Sequence, residues 1–280
     1  MSHPDTDTAR KATGLPFALT RPIHVAEVGL RAHDVEKLAE YYRALLGLET
    51  LAGPAGTATL GAGGVPFLVI EPASRGAPAD DTRQAGLFHT AFLMPSRADL
   101  ARWILHASET RVPVDGTADH LVSEAIYLTD PEGNGIEVYA DRPAEAWAWD
   151  GDTIRMATDP LDVNAIVGEL NSPADRWQGA PEFLRIGHIH LRVGDARAAA
   201  AWWQHEVGLE QVTAMPSASF LSSGRYHHHV GANSWQSRGA GPRDPARAGL
   251  AYVTLAGTGI PFERELSDPW GTRVRLRPGG

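Results

Sequence analysis

Apolar residues recur along this chain in short runs of strand length, interrupted by stretches of helical period. Val25–Ala32 reads as a strand, and Asp34 stands where a helix N-cap would. Leu38, Tyr41, Tyr42 and Leu45 follow at i, i+3, i+4 and i+7, the stripe of an amphipathic helix facing a core. The turn Gly47-Leu48-Glu49 closes that helix, and short strands are predicted around Ala58–Leu60 and Pro66–Ile70. The same order then returns. Leu87–Leu93 is a strand, Ser96 a cap, and Leu100, Trp103 and Ile104 mark a second helix. Strands Ala125–Leu128 and Gly135–Tyr139 finish it, split by the turn Asp130-Pro131-Glu132-Gly133-Asn134.

This βαβββ pattern is duplicated. Residues 28–50 align without a gap on 189–211, at an offset of 161. Leu30, Arg31 and Asp34 fall on Leu191, Arg192 and Asp195, Tyr41-Tyr42 on Trp202-Trp203, and Gly47-Leu48-Glu49 on Gly208-Leu209-Glu210. Ala85–His89 matches Ala248–Tyr252 at offset 163, and Asp130–Gly133 matches Asp268–Gly271 at offset 138. Such fixed offsets are the mark of internal repetition. Four modules are predicted, near 22–75, 84–141, 184–236 and 247–278. The expected division is a first domain at 22–141, a connector at 142–183 with one short helical pattern at Val163–Leu170, and a second domain at 184–280. The class is α+β, with curled sheets forming cups and helices outside. Module four is too short between Leu255 and Asp268 for the helix of its counterparts, so that half should lack a covering element.

Composition narrows the chemistry. The chain is 43% hydrophobic and 21% charged, with 25 basic against 34 acidic residues and a net charge of −9. That balance disfavours nucleic acid and anionic membrane as partners. No window approaches a membrane span, and Met1–Asp7 lacks a hydrophobic signal core, so a soluble cytoplasmic protein is the expectation. Cysteine is absent. Any metal must therefore be held by imidazole and carboxylate.

The duplication indicates where such ligands would gather. The inward position of the first strand holds Glu27, His89, His188 and Tyr252 in modules one to four. At the last-strand position, module two has Glu137, module four Arg275, module one an aliphatic near Leu68, and module three the run Tyr226-His227-His228-His229. Ligand types concentrate in modules two and three. If those share one cup, His89, His188 and Glu137 form a two-histidine, one-carboxylate face of the kind found at non-haem Fe(II) sites that bind substrate and O2 together. Mn, Ni or Zn would suit the same donors. A rival set, Glu27, His89 and Glu137, would require modules one and two to pair. Alternation along a strand sends His228 to the face opposite His227 and His229, while His190 shares a side with His188. Tyr127 lies across the turn from Glu137, and His120 precedes it. Both are candidate proton-handling groups, with His228 a further pocket candidate. His3, His24, His33, His106 and His205 read as surface or packing residues.

The four modules, the Gly86–His89 segment GLFH and the run YLTDPEGNGIE at Tyr127–Glu137 resemble the vicinal oxygen chelate superfamily. Its members include glyoxalase I, bleomycin-resistance proteins and type I extradiol dioxygenases. The stretches GLFHTAFLMPSRADLA, DHLVSEAIYLTDPEGNGIEVYADRP, IGHIHLRV and YHHHVGANSW are similar, more narrowly, to bacterial two-domain catechol-2,3-dioxygenase-type proteins. The resemblance implies an Fe(II) enzyme that cleaves an aromatic diol with O2, with His89, Glu137 and His188 as ligands and His120 and Tyr127 as pocket acid/base residues. It also implies self-association as a homo-oligomer. In the archetypal enzymes the ligands lie in the C-terminal domain, where this chain has Tyr252 and Arg275. Two other classes are weighed: a glyoxalase-like metal isomerase or transferase with His228 as fourth ligand, and a non-catalytic protein that sequesters a small molecule.

Overall fold

The computed structural model describes residues 14–279 apart from 171, 173 and 174; His3 and the start of the chain lie outside the described residues. Module one supplies β1 (His24–Ala32), the helix α1 (Val35–Leu46), β2 (Glu49–Leu51), β3 (Ala58–Ala62) and β4 (Val65–Pro72). Module two supplies β5 (Gly86–Met94), α2 (Arg97–Glu109), β6 (Gly116–Asp119), β7 (Ser123–Thr129) and β8 (Gly135–Asp141). Side-chain oxygens of Asp34 and Ser96 cap the two helices, as their positions predict. The connector carries β9 (Trp149–Asp150), β10 (Thr153–Ile154) and the single turn α3 (Val163–Val167), shorter than the predicted helical pattern. Module three follows with β11 (Arg185–Arg192), α4 (Ala196–Trp202) running into a π-helical turn at Trp203–Val207, β12 (Glu210–Met215), β13 (Ala218–Ser222) and β14 (Val230–Asn233). Module four has only β15 (Gly249–Gly257), β16 (Arg264–Ser267) and β17 (Arg273–Pro278), with no helix between the first two.

The strands form two large sheets. One runs β16-β17-β15-β1-β4-β3-β2, the other β12-β13-β14-β11-β5-β8-β7-β6. Modules one and four therefore share one cup, and modules two and three share the other. Each cup takes one module from either side of the connector, so the division at 142–183 follows the chain and not the sheets. In each cup the two first strands pair antiparallel at the centre, β1 with β15 and β11 with β5. A common apolar core joins the cups. Val28, Leu30, Val253, Ile189 and Leu191 meet there, together with Tyr42, Phe92, Trp103 and Trp203 from helices and neighbouring strands. Two buried polar groups in this core are satisfied locally: Trp103 donates to the Leu45 carbonyl at 2.8 Å, and Tyr42 to Asp130 at 3.0 Å. A second, smaller cluster includes Leu93, Val122, Tyr139, Trp147, Phe220 and Tyr226.

Two local expectations need correction. The run Tyr226–His229 is not the last strand of module three; it is an irregular segment, and the strand begins at Val230. The pairing that the rival set Glu27, His89 and Glu137 requires does not occur, because β1 pairs β15 and β4 while β5 pairs β11 and β8.

Candidate metal centre

Three adjacent strands bring His188, His89 and Glu137 together. In β11, His188 stands opposite Ala91 and His190 opposite His89; in the parallel pair, Ala91 meets Glu137. The register of β11 on β5 shifts between Ile186 and His188, around Gly187. Such a bulge turns a side chain off the regular alternation. A Cβ on Gly187 would sit 1.9 Å from the Tyr139 hydroxyl, so only glycine leaves that ring room against His188. The His188 ring is held at 4.9 Å from Tyr139 and 4.1 Å from His228, centroid to centroid.

The three side chains close a triangle. His89 Nε2 lies 3.0 Å from Glu137 Oε2, His188 Nε2 lies 3.1 Å from the same oxygen, and the two imidazole nitrogens are 3.3 Å apart. Neighbouring ligands of one octahedral ion at about 2.1 Å stand about 3.0 Å apart, and tetrahedral ones about 3.4 Å. The donor set and its spacing fit a single divalent ion, with the opposite face of that ion left free. All three residues are buried. Burial alone would raise the Glu137 carboxyl, yet His188 and His89 hold it well below the usual carboxylate range. Burial pushes His188 down to about 4 against the opposing pull of Glu137, so its ring is neutral and able to ligate near pH 7. Among the described residues these are the one group of three such side chains close enough to hold an ion, and His228 is not part of it.

The equivalent positions of the other cup behave differently. Tyr252 donates to Glu27 at 3.0 Å, the Arg275 guanidinium lies 3.6 Å over the Tyr252 ring, and Arg275 Nε donates to Glu265 at 3.1 Å. A guanidinium and its carboxylates occupy the place where the first cup gathers metal ligands.

Comparison with known proteins supplies a family. Residues 22–138 match the model of the Glyoxalase/Bleomycin resistance protein/Dioxygenase superfamily. A catechol-2,3-dioxygenase of Bacillus subtilis (strain 168) is 35% identical over 247 residues, 87% of this chain and 85% of that protein. The chain belongs to this superfamily. Solved structures extend the likeness of fold. A putative dioxygenase from Bacillus subtilis subsp. subtilis str. 168 has a TM-score of 0.55 at 12% identity, covering 92% of this chain and 86% of its own. Glyoxalase I from Zea mays has a TM-score of 0.52 at 14% identity, covering 93% and 94%.

In this superfamily member the triangle opens on a cavity of about 290 Å³. His120, Tyr127, His190 and His228 border it, and Phe88, Val122, Met156, Ala157, Thr158, Met215, Phe220 and Trp235 form the rest of its wall. Such a lining, apolar with a few convergent polar groups, is typical of a small-molecule site. Tyr127 stands directly opposite Glu137 in the β7–β8 pair, as the sequence places it. His120 Nδ1–H donates to the Ala157 carbonyl at 2.7 Å, which leaves Nε2 to accept from the Tyr127 hydroxyl at 2.6 Å. Burial, then the nearby Glu137 carboxylate, pushes the Tyr127 phenol well above its ordinary range. That phenol is therefore a donor near neutral pH.

Although the histidine run is not a strand, its side chains divide between two sides. His228 lines the cavity, while His227 bonds Asp141 and His229 bonds the Ala18 carbonyl behind it. Sequence reasoning missed the wall that the connector supplies, Met156–Thr158, because that stretch has neither periodicity nor a duplicated counterpart. His33 pairs with Glu132 on the surface, His106 stacks on Trp177, and exposed His205 pairs with Glu206. None of them enters the site.

Proposed function

We propose that this protein is an Fe(II)-dependent extradiol dioxygenase that cleaves a catechol-type diol with O2. The reading rests on one observation above others: two imidazoles and one carboxylate, on three adjacent strands, close a single triangle at the floor of an apolar cavity. His89, His188 and Glu137 would hold the ion. Bound there, iron would bring the oxygens of a diol and O2 together on one ion. The name of the Bacillus subtilis relative supports the same substrate class.

The chain's own residues supply the rest. Phe88, Val122 and Phe220 accept the planar ring and exclude water, which strengthens polar contacts at the floor. Tyr127 gives its one hydrogen to His120 Nε2, so its oxygen is left to accept a hydrogen bond from a diol hydroxyl near Glu137. His228 is kept neutral by burial and faces the same space, placed to accept a hydrogen bond from a diol hydroxyl.

The test is anaerobic purification with metal analysis, then oxygen uptake on adding catechol. Stoichiometric iron, uptake of O2 and a yellow ring-fission product are expected. Zinc or nickel with no oxygen uptake would favour a glyoxalase-like isomerase instead, and tight ligand binding without metal would favour a sequestering protein.

A further inference from the structure

Behind His228 a hydrogen-bonded chain leads away from the cavity. His228 Nδ1 lies 2.8 Å from Nδ1 of His227, and His227 Nε2 lies 2.8 Å from Oδ1 of Asp141. The same carboxylate oxygen accepts from the Tyr226 hydroxyl at 3.2 Å, which meets the Tyr139 hydroxyl at 2.7 Å. His227 is wholly buried, with its ring 4.0 Å from that of Tyr226 and 5.3 Å from that of Trp147.

With both rings neutral, the carboxylate sets the order of donors along this chain. A carboxylate only accepts, so His227 Nε2 carries the hydrogen that meets Asp141. A neutral imidazole has one N–H, so His227 Nδ1 must accept. The hydrogen between the two rings therefore belongs to His228 Nδ1, and His228 Nε2 is left as a bare lone pair for the cavity that His228 lines. Without Asp141, His227 has no reason to prefer this tautomer, and His228 can turn an N–H toward the cavity instead.

We propose that Asp141 and His227 are positioning residues that fix the tautomer of His228, so that its Nε2 faces a bound diol as a hydrogen-bond acceptor. The proposal deepens the ring-cleavage reading and rests on it. It also accounts for an acidic side chain and two histidines that the triangle and the His120–Tyr127 pair leave without a task.

The experiment compares His227→Phe and Asp141→Asn with Tyr226→Phe, all iron-loaded. His227→Phe keeps a ring in the aromatic packing and removes both hydrogen bonds. Asp141→Asn keeps the shape and removes the charge that selects the tautomer. Tyr226→Phe removes a side branch and leaves the His227–Asp141 contact in place. The first two should lower kcat by about 100-fold or more, the scale of a misplaced acid/base group. KM should stay within about threefold, and iron content and melting temperature should stay near wild type. Tyr226→Phe should keep near-full kcat.

A second readout needs no turnover. Added anaerobically to iron-loaded protein, 4-nitrocatechol should bind to the wild type as its fully deprotonated, red-shifted form. In Asp141→Asn and His227→Phe it should bind largely as the singly deprotonated form. Full kcat and an unchanged spectrum in those two variants would overturn the proposal, as would an equal loss in Tyr226→Phe. A wild type that consumes no oxygen with catechol would remove the ring-cleavage reading, while the nitrocatechol spectra would still decide whether the chain sets the tautomer.

Discussion

Glu137→Gln probes the triangle with the least change of shape. The side chain is 2% exposed, with imidazole nitrogens at 3.0 and 3.1 Å from its Oε2. The amide keeps the volume but removes the anionic ligand and one third of the donor set. Outer-shell changes at metal sites already cost about 10–100-fold in affinity, so loss of a ligand should cost at least about 100-fold. At free Fe(II) about 100 times the wild-type Kd, bound metal stabilises the wild type by about 2.7 kcal/mol, from RT ln(1 + [L]/Kd). The variant, at a concentration equal to its weakened Kd, gains about 0.4 kcal/mol. With an unfolding entropy near 2.1 cal/mol/K per residue, a chain of 280 residues converts the difference of about 2.3 kcal/mol into roughly 4 °C. The assay is anaerobic calorimetric melting of each protein with and without iron, each metal-free protein serving as its own baseline. An iron-induced rise in Glu137→Gln equal to that of the wild type would refute the reasoning.

Further outcomes follow from the same geometry. Burial pushes His229 down to about 3, from an ordinary 6.5, against the Ala18 carbonyl that it meets. Because the folded value lies below the unfolded one, the unfolded chain takes up the proton first. This contribution is complete above about pH 6.5 and is lost as pH falls toward 3, on the order of 5 kcal/mol in all. His229→Gln should flatten the acid limb of urea-unfolding free energy in metal-free protein, and an unchanged limb would contradict the assignment. Gly187→Ala places a Cβ against the Tyr139 hydroxyl and should cost about 1–3 kcal/mol while lowering iron occupancy through displacement of His188; full occupancy with no loss of stability would oppose this. Glu27→Gln, in the other cup, should leave iron stoichiometry at the wild-type value, and a drop would mean that Glu27 takes part in binding.

Much of this architecture was legible because the chain repeats. Fixed offsets align module one with three and module two with four, so the inward positions that hold His89, His188 and Glu137 could be singled out before any strand was paired. The caps Asp34 and Ser96 and the missing helix of module four were visible for local reasons, side-chain chemistry and sheer length. Which modules share a cup was not written in any single strand. It emerged only from the unequal distribution of ligand types, since Tyr252 and Arg275 could not serve where His89 and Glu137 could. The bulge at Gly187 was hidden, because it depends on the Tyr139 ring from a strand far away in sequence. So were the Met156–Thr158 wall and the link from Asp141 to His228, which exist only once the connector and the irregular Tyr226–His229 segment have folded over the sheet.

The claim on which all of this depends is that one divalent ion sits against His89, His188 and Glu137. Anomalous diffraction at the iron edge from anaerobically loaded crystals tests it most directly. One peak per chain, about 2.1 Å from Nε2 of both histidines and from a Glu137 carboxylate oxygen, is the result expected. A peak beside Glu27, or strong density elsewhere with none inside the triangle, would contradict it.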